Sequence, residues 1–241
     1  MARIKVLVLG EFSRLAKYNL FIASVVVALI WVAMGLFLDK EEMMMLLPFV
    51  FLMEASAMTA LLVGAEMFYE KKEHTISSMI ISPMTNVEYM VSKVLTHLLN
   101  ILFVFLIISG GLYFVNELVF NYGWLLLASI MVTTFYVGIG LILSYYSKDF
   151  TALLMNYMLM MLLLVIPSLL ILTGVIPTNI ADILVYLPSE VTIRLLSAAT
   201  GTIDLSQFLI DSLITLVASG LMFVFVVVPR FKKFATENLG V

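Results

Sequence analysis

The chain has 241 residues, 63% of them hydrophobic and 12% charged, with a formal net charge of −3. A composition this apolar excludes an ordinary soluble domain and identifies an all-α integral membrane protein, for which the side holding the cations matters more than their sum. The absence of cysteine removes disulfides, thiol catalysis and cysteine-based metal sites, and the 17 methionines read as packing residues at helix interfaces.

Residues 1–19 carry Arg3, Lys5, Arg14 and Lys17, with Ile4, Leu7, Val8, Phe12 and Leu15 on one helical face. A basic amphipathic helix of this kind lies in the headgroup plane; the other reading is a positively charged lead-in to the first span. Glu11 falls within the apolar face, and nothing local accounts for it. No small-residue cleavage site follows, so the first apolar run is expected to remain as a span.

Six stretches of about twenty apolar residues are predicted as spans. They are Leu20–Leu38, Leu46–Phe68, Val94–Val115, Leu125–Tyr146, Ala152–Ile176 and Leu209–Val228. Eleven of the 13 lysines and arginines fall on one side of this arrangement, leaving Lys40 and Arg194 on the other. The positive-inside rule then puts both termini in the cytoplasm of a multi-pass plasma (inner) membrane protein. Asp39–Met45 and Asn116–Trp124 are expected as short external loops and Ser147–Thr151 as a tight internal turn.

The most informative stretch is the internal segment 69–93. Ile76, Met79 and Ile80 recur at helical spacing, which predicts a short amphipathic helix over Thr75–Ile81, stopped by Ser82 and Pro83. Thr85 and Glu88 have capping-box spacing, so a new helix starts before the third span. This stretch resembles the cytoplasmic loop of ABC-2 type transporter permease subunits. There a Glu-Lys/Arg pair, a threonine, a Ser/Thr-Pro and a lysine before the third span recur at this spacing, matched here by Glu70, Lys71, Thr75, Ser82, Pro83, Glu88 and Lys93. Many members carry glycine directly before the threonine, where this chain has His74.

The resemblance covers the whole chain as one transmembrane domain, 1–241. It implies an elbow helix at 1–19, a coupling loop at 69–93 and a re-entrant helical segment at 177–208. It also implies that ATP and Mg are bound by separate ABC ATPase subunits, with no cofactor in this chain. The coupling residues would be Glu70, Lys71, Thr75, Ile76, Met79, Ile80, Ser82 and Pro83, with Ile76, Met79 and Ile80 seated in a groove of the ATPase. Glu66, Glu70 and Glu73 share a helical face, and their mutual repulsion is expected to be relieved by a basic rim on that partner. Two permease chains would pair in the bilayer around one export path, lined by the first, second and fifth spans, for an amphipathic or hydrophobic drug or lipid-like substrate. The opening run looks most like the drug-export branch. Glu54, Met58, Asn156 and Met160 are the expected path residues.

Glu54 is the most conspicuous polar residue in any span, and a carboxylate there must face protein or water. It reads either as a lining residue or as a hydrogen-bond partner of a neighbouring helix; Asn156 is open in the same way. His97, Asn100 and Asp211 are expected to be interfacial or paired. Gly110 with Gly111, Gly138 with Gly140, and Gly220 offer close helix contacts. In the external segment, Leu187, Pro188, Ser189 and Glu190 signal a helix start and Gly201 its stop. The segment is expected to dip back into the outer leaflet rather than form a solvated loop, because its apolar residues are costly to leave in water.

No phosphate loop, zinc-protease motif or nucleophile elbow occurs, so no catalytic residue, no metal site and no nucleic-acid partner is expected, and the chain is not read as an enzyme. The alternative function is an ATPase-independent secondary carrier or membrane sensor in which Glu54 titrates.

Overall fold

The basic lead-in and the first apolar run form two helices set at an angle. The computed structural model describes residues 2–76, 84–172, 184–198, 200–201 and 204–237. In it α1 (Ala2–Lys17) and α2 (Leu20–Met34) meet at 69°. Asn19 sits between them with a left-handed φ of 59°, a conformation asparagine tolerates and that ends the regular ladder of a helix.

The second apolar run is longer than its composition indicates. α3 (Lys40–Leu52), a π-helical turn (Met53–Met58) and α4 (Thr59–Lys72) make one continuous 33-residue helix. The segment expected as the loop Asp39–Met45 is therefore mostly helix. Asp39 accepts from the Glu42 amide at 2.9 Å, and Glu42 accepts from the Asp39 amide at 3.1 Å, a capping box that starts the helix one and a half turns early. The expected capping box at Thr85 and Glu88 is also present and opens α5 (Asn86–Asn116).

α6 (Tyr122–Tyr146), α7 (Phe150–Leu172) and α8 (Pro188–Ser197) follow, and the last run is again one helix. Its parts are α9 (Leu205–Met222), a π-helical turn (Phe223–Val227) and α10 (Val228–Glu237). Every regular element among the described residues is helical. By length and composition four helices can cross a membrane, or five if α1 and α2 count as one bent span. The fifth run expected from sequence corresponds to α7, a 23-residue helix whose apolar stretch is described over Phe150–Leu164.

The helix of the second run is the central one: 67% of its apolar window is buried, against 22% for the last helix. It packs on α6 at Gly140, where a Cβ would stand 2.6 Å from the Ala60 carbonyl oxygen, so only glycine permits this approach. Gly111 and Gly138 also sit against side chains of neighbouring helices, whereas Gly110 and Gly220 face open space.

Two apolar clusters result. The larger joins α2, α3, α5, α6, α8 and α9. The smaller lies where α4 ends, α5 begins, α6 ends and α10 folds under them, with Met67, Ile76, Tyr89, Met90, Phe231 and Phe234 in contact. The helix ends carrying Arg14, Lys17, Lys71 and Lys93 gather beside the smaller cluster; Lys71 lies over the Phe234 ring. Arg194 belongs to the opposite end, where α8 packs on α9.

The helix read at Pro188 is present, with Pro188 in its first turn and Val191, Leu195 and Leu196 buried in the larger cluster. Residues 173–183, the first part of the external segment, lie outside the described residues.

Candidate functional site

Three helices bring their charges to one place. On α1, Glu11 and Arg14 are three residues apart; on α4, Glu66 and Glu70 are four apart; on α5, Tyr89, Lys93 and His97 recur every four residues. Each spacing puts its side chains on one helical face. The three faces converge inside the protein: Glu11, Glu66, Glu70, Lys93 and Tyr89 have no solvent exposure, and His97 has 1%.

Lys93 is the centre. Its ammonium lies 2.5 Å from Glu11 Oε2, 2.6 Å from Glu70 Oε1 and 3.2 Å from Glu66 Oε1, so three N–H donors meet three carboxylates. Arg14 Nε lies 2.8 Å from Glu70 Oε1, and its guanidinium also pairs with Glu11. Tyr89 donates to the other oxygen of Glu70. His97 Nε2 is 3.2 Å from Glu66 Oε2. Removing five charges from water costs several kcal/mol per ion, and only this closed set of partners offsets it. The Glu11, Glu66 and Glu70 oxygens lie within 4.8 Å of one another, a spacing that would also suit a divalent cation. The lysine ammonium already stands among them, so the cluster is a lysine-centred ionic joint.

A second pair of contacts continues the joint outward. Glu73 accepts from Lys17 Nζ at 2.7 and 2.8 Å and from Tyr18 Oη at 2.9 Å. The hydrogen bonds from Lys17, and after them the one from Tyr18, hold the Glu73 carboxyl below its ordinary range.

The expected role of the acidic face is thereby corrected. Glu66, Glu70 and Glu73 do share a face, but cations of α1 and α5 within the same chain neutralise them, so no basic rim of a partner is required. The placement of Ile76 is corrected too. It is 1% exposed and packs with Met67, Tyr89 and Phe231, because the helix end turns it inward. Lys71 and Thr75 are half-buried. Met79, Ile80, Ser82 and Pro83 lie outside the described residues. His74 has a left-handed φ of 57°, the backbone state that glycine adopts most easily, directly before the threonine.

Sequence reasoning missed Arg14 and left Glu11 unexplained. The available signal was an acid within the apolar face of a basic helix, which requires a buried cation elsewhere in the fold.

Of the four expected path residues, Glu54 and Asn156 are engaged by side chains within the chain. Glu54, in the π-helical turn, is 2% exposed and accepts from Trp31 Nε1 of α2 at 2.9 Å, the interhelical hydrogen bond that was one of its two readings. Asn156 donates to Ser147 Oγ at 3.1 Å, tying α7 to the end of α6. Met58 is half-buried, and Met160 packs on the larger cluster. Glu54 lies about 24 Å along its helix from Glu70, whereas Asn156 lies about 9 Å along α7 from Phe150 at the same end, so the two occupy different depths. His97, Asn100 and Asp211 are paired, with Glu66, Ser24 and Arg194 respectively.

No family model matches the chain, and no curated protein matches it.

Proposed function

We propose that the chain is the transmembrane permease subunit of an ABC-2 type transporter. A second permease chain would complete an export path for an amphipathic or hydrophobic, drug-like or lipid-like substrate. In this reading α1 is the interfacial elbow, the chain crosses the inner membrane six times with both termini cytoplasmic, and separate ATPase subunits bind ATP and Mg.

The observation that carries the reading is the contact between Lys93 and Glu70 at 2.6 Å. Glu70 lies within one turn of the end of α4 and Lys93 about two turns into α5, and Glu11 and Arg14 lock α1 to the same point. A push on the loop therefore reaches α1, α4 and α5 together as one body, which is what rigid-body coupling to a nucleotide-driven partner requires. Ile76 is buried at the start of the loop, and the turn at Lys72, Glu73 and His74 is exposed, which in this reading leaves it accessible to the ATPase. Reversing a 1:99 preference between two states takes about 5.5 kcal/mol of differential binding, a quantity that closure of two ATPase subunits can deliver.

Co-purification with an ATPase and transport in sealed vesicles test this. The expected result is a stable complex whose transport requires ATP, and a Lys93→Met variant that still binds the ATPase while transport is lost. The second reading, an ATPase-independent carrier, draws on Glu54, a buried carboxylate in a span whose only hydrogen-bond partner among the described side chains is an indole N–H. Transport that follows a proton gradient, survives ATP depletion and vanishes in Glu54→Gln would replace the permease reading with that one.

A further inference from the structure

The face of α1 that runs along α5 does not close completely against it. Val8 and Leu9 of α1, Leu95, Leu99 and Leu102 of α5, and Ile130 of α6 line a groove with a volume of about 600 Å³. From Leu95 to Leu102 it runs two helical turns, about 10 Å along the span. Its walls are open to the surroundings: Leu9 is 61% exposed and Leu99 is 40% exposed. Lys5 also borders the groove. It is exposed, and no carboxylate of the chain holds it among the described residues.

These features specify an occupant. The groove begins within one turn of Lys93 on α5, so it opens into the leaflet on the basic side of the protein, which on the positive-inside rule is the leaflet rich in anionic headgroups. An apolar helix of a second copy seated there would bury the Lys5 ammonium without a counter-charge, which costs several kcal/mol. A phospholipid supplies both matching parts at once, a hydrocarbon chain for the leucine wall and a phosphate for the amine. We propose that this groove binds one acyl chain of an anionic phospholipid, with the headgroup phosphate held by Lys5. The site rests on the chain being embedded in a bilayer and not on any coupling to an ATPase.

Native mass spectrometry of the full chain tests this, with phosphatidylglycerol and phosphatidylcholine of identical acyl chains as probes. The wild type is expected to retain phosphatidylglycerol about fivefold better, the worth of one basic contact with an anionic lipid. Lys5→Gln, at an exposed position that folding does not depend on, is expected to bring retention of the two lipids level. Leu99→Trp, which fills the groove, is expected to lower retention of both. Equal retention by the wild type, an undiminished preference in Lys5→Gln, or full retention in Leu99→Trp would overturn the proposal. So would efficient disulfide cross-linking of Leu99→Cys between two copies in a bilayer, which would identify the occupant as a second copy. None of these results bears on whether an ATPase binds.

Discussion

Lys93 and Glu70 stand 23 residues apart on either side of a polar loop, yet their charged groups meet at 2.6 Å with no access to solvent. The pair fixes the separation of the helices that the loop connects. Its strength comes from the low dielectric around it and from the number of partners each group has.

Replacing Lys93 by Met leaves Glu11, Glu66 and Glu70 buried side by side without their shared cation. Loss of one partner from a buried ionic set costs about 3–5 kcal/mol. Thermal unfolding in detergent is expected to show a corresponding large drop in the midpoint. Exposed Lys72→Met serves as the comparison and is expected to stay within about 0.5 kcal/mol of the parent, as surface changes usually do.

His74→Gly is expected to stabilise the protein. A left-handed φ costs an L-residue about 1–2 kcal/mol relative to glycine, and the greater freedom of glycine in the unfolded chain returns part of that. The imidazole's own contact is lost as well, so the gain in denaturant titration is expected to stay below about 1 kcal/mol. His74→Val, with a branched Cβ, is expected to move the midpoint the other way.

At Gly140 the constraint is contact rather than torsion. Gly140→Ala places a methyl 2.6 Å from the Ala60 carbonyl oxygen and 2.8 Å from Val63 Cβ, so α4 and α6 must separate. Overpacking of this kind costs about 1–3 kcal/mol. Gly220→Ala meets nothing within 4 Å and is expected to raise the melting temperature slightly, because alanine loses less backbone freedom than glycine on entering a helix.

Arg194 grips Asp211 with two hydrogen bonds, at 2.9 and 2.7 Å, and also holds the Val185 carbonyl at 2.7 Å. Asp211→Ala frees the guanidinium from its buried partner. Loss of a charged hydrogen-bond pair costs about 1.5–3 kcal/mol. Faster hydrogen exchange confined to Pro188–Ser197 is the expected readout.

The contact of Glu73 with Lys17 and Tyr18 is expected to depend on pH. Because these partners hold the folded carboxyl below its ordinary value, the contact contributes stability above the unfolded glutamate value and loses it as pH falls through the depressed folded value. Protection at the α1–α2 junction, taken relative to the intrinsic exchange rate at each pH, is expected to fall on acidification in the parent and to be unchanged over that range in Glu73→Gln.

Much of the helical content was legible in the sequence. The apolar runs, the capping box at Thr85 and Glu88, and the start at Pro188 all depend on residues within one or two turns of each other, and periodicity reports such local preferences. The Asp39 and Glu42 capping box has the same local signature, but charged residues ahead of an apolar run also look like loop. The ionic joint was half visible. Glu70 and Lys93 stood out through their spacing in the loop, while Glu11 looked misplaced and Arg14 looked like an ordinary surface cation. Their meaning depends on α1 lying across the junction of α4 and α5, which the 69° bend at Asn19 decides.

By itself the sequence determined an all-helical chain with several apolar runs, a polar loop after the second of them and a strong bias of positive charge to one side, because hydrophobicity and capping act over short stretches. Only the tertiary structure decided which charges neutralise one another, that Ile76 points inward, and that Glu54 and Asn156 lie at different depths. Those outcomes follow from the packing of helices distant in sequence, where burying a charge is tolerable only if the opposite charge arrives at the same point.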